Sequence, residues 1–168
     1  MTVFFFFFEE EPQVIPVPAI VSVQGCEEME TNPLRESRME DVNQAVEKYY
    51  ARIGENADYV ENYENLYLYM KNGQYENTYV VYATYEMKIR DIYTPVPGLG
   101  TLYIEREEDG TIKISASVDE EIQKYIAHIT QHEDVRGLFR QIEESYARAV
   151  HSDEMLAQAL GDLQSVLK

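Results

Sequence analysis

Three histidines and a scatter of paired carboxylates are the side chains of this sequence closest to acid–base or metal chemistry. His128 and His132 stand four residues apart with Glu133 adjacent, and two histidines at that spacing on one helical face can ligate a metal. Their order is not the His-Glu-x-x-His of a zinc hydrolase, and the pair straddles the break expected between two helices. They read as surface histidines at a helix end, and His151 as another helix-terminal side chain. Glu107 with Glu108, and Glu143 with Glu144, have the right groups for proton transfer. The first pair falls in a charged turn and the second on the polar face of a helix, so both read as solvated surface. Glu105-Arg-Glu-Glu-Asp-Gly110 is acid-rich but lacks the alternating oxygen ligands of an EF-hand loop. There is no Gly-x-Ser-x-Gly elbow and no glycine-rich phosphate or dinucleotide loop. The expectation is a non-enzymatic chain with no catalytic set, no metal site and no cofactor.

Tyrosine is the informative excess, with 14 among 168 residues and no tryptophan. Where these rings go depends on the elements that carry them. Val42, Val46, Tyr49, Tyr50 and Ile53 follow a 3.6-residue period and predict a helix running from about Glu36 to Gly54. Between Tyr63 and Ser115 the period becomes two. Leu66, Leu68 and Met70 alternate with Tyr67 and Tyr69, Asn72-Gly73 supplies a turn, and a longer strand follows. Along that strand Tyr79, Val81, Ala83, Tyr85, Met87 and Ile89 share one face, the better candidate for the core. Pro95 and Pro97 are expected to break the ladder, with Gly98 and Gly100 turning the chain before a strand containing Leu102 and Ile104. Asp109-Gly110 makes a hairpin returning through Ile112 and Ile114. Three amphipathic helices complete the chain, the first expected to open on a Ser117/Glu120 capping box and the last on Ser152. The fold class is therefore α+β: an antiparallel sheet of about four strands with one N-terminal and three C-terminal helices.

Two sites for a function follow. Tyr67, Tyr69, Tyr82 and Tyr103 point to the strand face opposite the best apolar set and would present an aromatic surface for a protein partner or for self-association. If helices cover that face, the same rings become core. The alternative is a small-ligand pocket between the sheet and the first helix, lined by Tyr49, Tyr50, Tyr79, Tyr85 and Met87.

Fourteen basic against 31 acidic side chains leave a net charge of −17, which repels phosphate backbones and excludes nucleic acid as an expected partner. Part of that charge has a local purpose, since Asp119 to Glu121, Glu133 with Asp134, and Asp153 with Glu154 fall where helices begin. Residues 1–36, punctuated by Pro12, Pro16, Pro18 and Pro33, read as a tail or linker, with a short extended piece over Val14 to Val23 as the alternative. Phe4 to Phe8 is far shorter than the about 20 apolar residues a membrane span needs. Val23-Gln24-Gly25-Cys26 has the look of a lipoprotein cleavage site, but acids and prolines interrupt the apolar run before it and no basic residues precede it. The lone Cys26 excludes an intrachain disulfide.

Val46-Glu-Lys-Tyr-Tyr50, Tyr63-Glu-Asn65, Tyr79-Val-Val-Tyr82 with Glu86-Met-Lys88, and above all Thr94-Pro-Val-Pro-Gly-Leu99 carry a resemblance to a known group. Over residues 37–168 the chain resembles the nuclear-transport-factor-2-like (SnoaL-like) cone domains of clostridial cell-envelope proteins. That resemblance implies a curved sheet wrapped by helices, a binding or assembly role, and an extracytoplasmic setting, where a chain unlike those relatives would be cytoplasmic. It carries over no catalytic residue. Those relatives have an extra helical segment before the position of Tyr63, where this chain has only Gly54 to Asn62.

Overall fold

The structure, a computed structural model, describes residues 28–166. The expectations for Phe4 to Phe8, Val14 to Val23 and Cys26 lie outside the described residues. The chain order is β1 (Arg35–Glu36), α1 (Glu40–Glu55), β2 (Val60–Asn72), β3 (Thr78–Ile89), β4 (Val96–Arg106), β5 (Ile112–Ser115), α2 (Glu120–Thr130), α3 (Glu133–Ser152) and α4 (Glu154–Val166). The strands form one open antiparallel sheet in the order β1-β2-β3-β4-β5. Four of them match the expected strands. The fifth, β1, is a two-residue strand inside the expected tail, where Arg35 and Glu36 pair with Met70 and Tyr69. A helical turn at residues 28–31 precedes it.

The central strand β3 sets the layering. Its odd face places Val81, Ala83, Tyr85, Met87 and Ile89 in a core shared with Val42, Val46 and Tyr50 of α1 and with Leu156 and Leu160 of α4. Its even face is buried as well. Val80 and Tyr82, with Leu99 and Tyr103 of β4, lie beneath Ile129 of α2 and Val135 and Leu138 of α3. The sequence pattern makes the odd face the better core candidate and leaves the even face open to cover by helices; both faces are core. A strand apolar on both sides has no solvent side, and each large apolar side chain gains about 1.5–3 kcal/mol from burial, so amphipathic helices dock on both faces. Farther along α3, Tyr146, Ala149 and Val150 pack against the odd-face core, so this helix serves both layers.

The helix starts are acidic for local reasons. Asp119, not Ser117, caps α2 by accepting from the Ile122 N–H at 3.0 Å, and Asp153, not Ser152, caps α4 by accepting from the Leu156 N–H at 3.1 Å. The Ser152 hydroxyl instead donates to the Ala149 carbonyl.

Pro97 and Gly98 do not break the ladder; they lie within β4, opposite Glu86 and Tyr85. Only Tyr103 to Arg106 of β4 have a second strand neighbour, in β5, so at Pro97 the missing N–H can face an edge that asks for no ladder bond. Gly98 has a tighter reason. A Cβ there would lie 2.4–2.7 Å from the Tyr85 ring, which crosses directly over the glycine. At the hairpin tip, Gly110 takes φ +86°, as the Asp-Gly turn demands.

Gly98→Ala must push against a buried ring and is expected to cost about 1–3 kcal/mol. Gly137→Ala, within α3 with nothing inside 4 Å of the new Cβ, is expected to gain about 0.5–1 kcal/mol. Urea unfolding followed by circular dichroism checks both. Midpoints moving in the same direction would contradict this account.

Candidate functional site

The register confirms that Tyr67, Tyr69, Tyr82 and Tyr103 share one sheet face: Tyr69 pairs with Tyr82, Lys71 with Val80, and Val80 with Tyr103. It is not an open face. Tyr82 and Tyr103 are 0% and 2% exposed beneath α2 and α3, Tyr69 is half-buried, and only Tyr67, at 54%, remains available. Val80 and Leu99 make the row apolar enough to receive the helices' apolar stripes. The Tyr82 hydroxyl finds Thr130 Oγ1 at 2.8 Å, and burial pushes its ionisation upward.

The residues of the alternative pocket lie against one another. Tyr50 and Tyr85 meet at 5.3 Å between ring centroids, Tyr63 lies 5.1 Å from Tyr85, and Tyr49 sits edge-on to Tyr50 at 5.5 Å. These rings fill the space between α1 and the sheet. Met87 is fully buried beside them and Tyr79 half-buried on the same face. Burial raises the ionisation of Tyr50 and Tyr85 well above the usual tyrosine range and pushes Tyr63 up to about 12.

The site with chemistry in it was not expected from sequence. Lys71, at the end of β2, is 0% exposed, and its ammonium meets Asp134 Oδ2 at 3.0 Å, the Asn32 carbonyl at 2.9 Å and His132 Nδ1 at 3.0 Å. These three acceptors match its three hydrogens. Asp134 also accepts from the Leu34 N–H at 2.8 Å and, through its other oxygen, from the Val135 N–H. Asn32 binds the Asn72 backbone through both ends of its amide, and the Tyr125 hydroxyl donates to the same Asn72 carbonyl. Residues 28–36, expected as tail, are thereby tied to the sheet and to the α2–α3 junction.

Beyond Lys71 the network reaches the histidines. The helix break falls between His128 and His132, as expected, yet their rings stand only 5.6 Å apart, because His132 is the N-cap residue of α3. Glu28 lies between them, with Oε2 2.6 Å from His128 Nε2 and 3.7 Å from His132 Nε2. His132 Nε2 is buried without a hydrogen-bond partner. Burial first, then the charge of Lys71, holds the His132 imidazole below its ordinary range, while the His128 hydrogen bond lowers the Glu28 carboxyl. Glu28, His128 and His132 offer donor atoms all within 4.8 Å of one another.

Comparison with protein-family models, curated proteins and solved structures returns no match. Function therefore has to come from this chain's own geometry. Lys71 is saturated and sealed, which suits it to a structural task and not to nucleophilic attack. Glu107, Glu108, Glu143, Glu144 and His151 are all exposed. The one sequence signal for the network is Lys71 itself, which the two-residue period places on the Tyr67/Tyr69 face. A lysine beneath helices requires a carboxylate, and Asp134 in the first turn of α3 is the one that arrives.

Asp134→Ala strands the buried ammonium and is expected to cost about 3–5 kcal/mol, whereas Lys71→Met keeps the apolar stem and should cost clearly less. Urea titration of both variants decides, and an equal or reversed order would sink the account. For the tyrosines the sign runs toward alkali. Raised folded ionisation means stability is intact below the unfolded value near 10 and falls as pH rises toward 12 and above. Tyrosinate absorbance should rise in two stages, the second coinciding with unfolding by circular dichroism; a single stage with the fold retained would refute buried rings.

Proposed function

We propose that this chain is a non-enzymatic docking domain that binds a basic protein partner at the end of the sheet face its helices leave open. The observation that carries this is the pairing of Glu64 with Glu86. They are direct cross-strand partners on the tyrosine face, and among the described residues neither has a counter-ion. Like charges facing each other across strands are destabilising, so a pair kept this way favours a cation from outside. Asn62 and Asn65 donate to these carboxylates but bring no charge. The nearest lysine on this face, Lys88, is engaged elsewhere: its ammonium donates to the Tyr93 carbonyl at 2.6 Å and lies 5.5 Å from the Tyr93 ring centroid.

Exposed rings lie at neighbouring positions, Tyr67 opposite Thr84 on the same face and Tyr93 against Lys88. Tyr67 is 54% and Tyr93 91% exposed, and an aromatic ring beside a carboxylate suits a lysine or arginine side chain. A net charge of −17 on each copy opposes self-association and favours a basic partner. The order of one helix, a strand meander and three helices supports the nuclear-transport-factor-2-like reading, and the envelope setting rests on that resemblance alone. The ligand-pocket alternative loses its support, because rings occupy the volume it needs.

The test is a capture experiment from cells of the source organism with the full chain as bait. A Tyr67→Ala, Glu64→Gln, Glu86→Gln variant should lose a lysine- or arginine-rich partner that the native chain and a Glu143→Gln, Glu144→Gln control both retain. Removing the repulsion should also raise fold stability by about 0.2–1 kcal/mol. Retention by the triple variant, or equal loss with the control, would reject the proposal.

A further inference from the structure

We infer that Asn72 is a self-modification site, an asparagine that its own chain converts to aspartate and isoaspartate, and that residues 28–36 hold it unreactive while they lie on the sheet. Asn72-Gly73 is the only Asn-Gly pair in the sequence. The fold imposes the glycine. A Cβ at Gly73 would lie 2.1 Å from Thr78 Oγ1 and 2.9 Å from the Thr78 carbonyl carbon, so the hairpin closes only without a side chain there. The same missing side chain leaves the Gly73 nitrogen sterically free to attack the amide before it.

The reaction needs water alone as co-reactant. The Gly73 backbone nitrogen gives up its proton and attacks Asn72 Cγ, the new N–Cγ bond closes a succinimide ring, and the Cγ–Nδ2 bond breaks to release ammonia. Water then opens the ring. Cleavage of the N–Cγ bond leaves aspartate on an ordinary backbone, whereas cleavage of the original peptide bond leaves isoaspartate, whose main chain is longer by one methylene.

Asn72 is exposed, so water reaches it, and hydrogen bonds are what withhold the first step. The Gly73 N–H donates to the Thr78 carbonyl at 2.8 Å, which keeps the attacking nitrogen in the hairpin. Arg35 Nη2 donates to Asn72 Oδ1 at 2.8 Å and anchors the amide to β1. Asn32 accepts from the Asn72 N–H at 2.8 Å and donates to its carbonyl at 3.0 Å, and the Tyr125 hydroxyl donates to that carbonyl at 2.9 Å. Arg35 and Asn32 both belong to residues 28–36. Peripheral segments open more readily than the core, so the reaction proceeds through the fraction of molecules in which this segment is off the sheet. Isoaspartate then displaces the Asn72 carbonyl from Asn32, whose own carbonyl meets Lys71, and a covalent step in an exposed turn reaches the buried ammonium.

The full chain is incubated in mildly alkaline buffer, native and in urea, and conversion at Asn72 is followed by mass spectrometry of its peptides. The native chain should react roughly tenfold more slowly than the unfolded one, or slower still. Asn32→Ala, which keeps the carbonyl that Lys71 uses, and the exposed Arg35→Ala should each react several-fold faster than native with an unchanged circular dichroism spectrum. The separated isoaspartate form should exchange its amide hydrogens over residues 28–36 faster than the unreacted chain. Equal rates with and without urea, no conversion in urea, or variants as slow as native would overturn the inference. None of these substitutions touches Glu64, Glu86 or Tyr67, so failure here leaves the docking proposal standing.

Discussion

Taking an ammonium out of water costs several kcal/mol unless its hydrogens all find acceptors, so the position of Lys71 constrains everything around it. A carboxylate, a carbonyl and an imidazole must converge on one point beneath the helices. Asp134 can arrive only if α3 begins there, which puts His132 at its N-cap and turns α2 back at Thr130. The Asn32 carbonyl can arrive only if residues 28–36 run along the sheet, which in turn allows β1 to pair with β2. The start of the described chain, the first helix boundary on the tyrosine face and the added strand are linked through one nitrogen.

Tyrosine solves a different problem in the same sheet. Both faces of β3 are covered, and a sheet sealed twice needs large side chains that tolerate the approach of a polar backbone. On the odd face the rings of Tyr50, Tyr63 and Tyr85 pack mutually within about the same spacing, and Gly98 gives up its side chain so that Tyr85 can lie flat across β4. The Tyr50 hydroxyl is left buried without a partner, as is that of Tyr103 on the other face. Those unmet hydroxyls work against stability. They persist because the area their rings bury outweighs one unmade hydrogen bond apiece.

Much of this fold was legible in the sequence because its signals are local. The 3.6-residue stripe of α1, the alternation along β3 and the Asp109-Gly110 turn each follow from neighbouring residues, and the shared face of Tyr67, Tyr69, Tyr82 and Tyr103 followed from strand period alone. Which face the helices would choose did not. An amphipathic stripe states that a helix needs cover but not which side of a doubly apolar strand supplies it, so the tyrosine row reads equally well as surface or core. Pro97 read as a break because its edge position depends on the shortness of β5. The Glu28 cluster is out of reach for a simpler reason: Glu28 and His128 meet across 100 residues of chain, and Glu28 lies in a segment whose prolines suggest no structure. The histidine spacing is visible in the sequence, but a helix break there implies separated rings, whereas the N-cap position of His132 holds the two together.

The length of the strands leaves one asymmetry that bears on function. At 13 residues, β2 spans roughly 40 Å, more than two helices crossing the tyrosine face can cover. Its two ends are polar and differ in their cover. At the Lys71 end the chain closes the gap with its own residues 28–36, and every hydrogen of the buried cation is matched. At the Glu64 end no described segment arrives, and two carboxylates face each other without a cation beside exposed Tyr67. A bulge between Glu64 and Tyr67, with Asn65 at φ 50°, twists this stretch of edge away from simple strand addition. What the edge then offers a second molecule is side chains, not a backbone ladder. On the docking proposal, a basic side chain of the partner meets this end of the face as Asp134 meets Lys71 at the other.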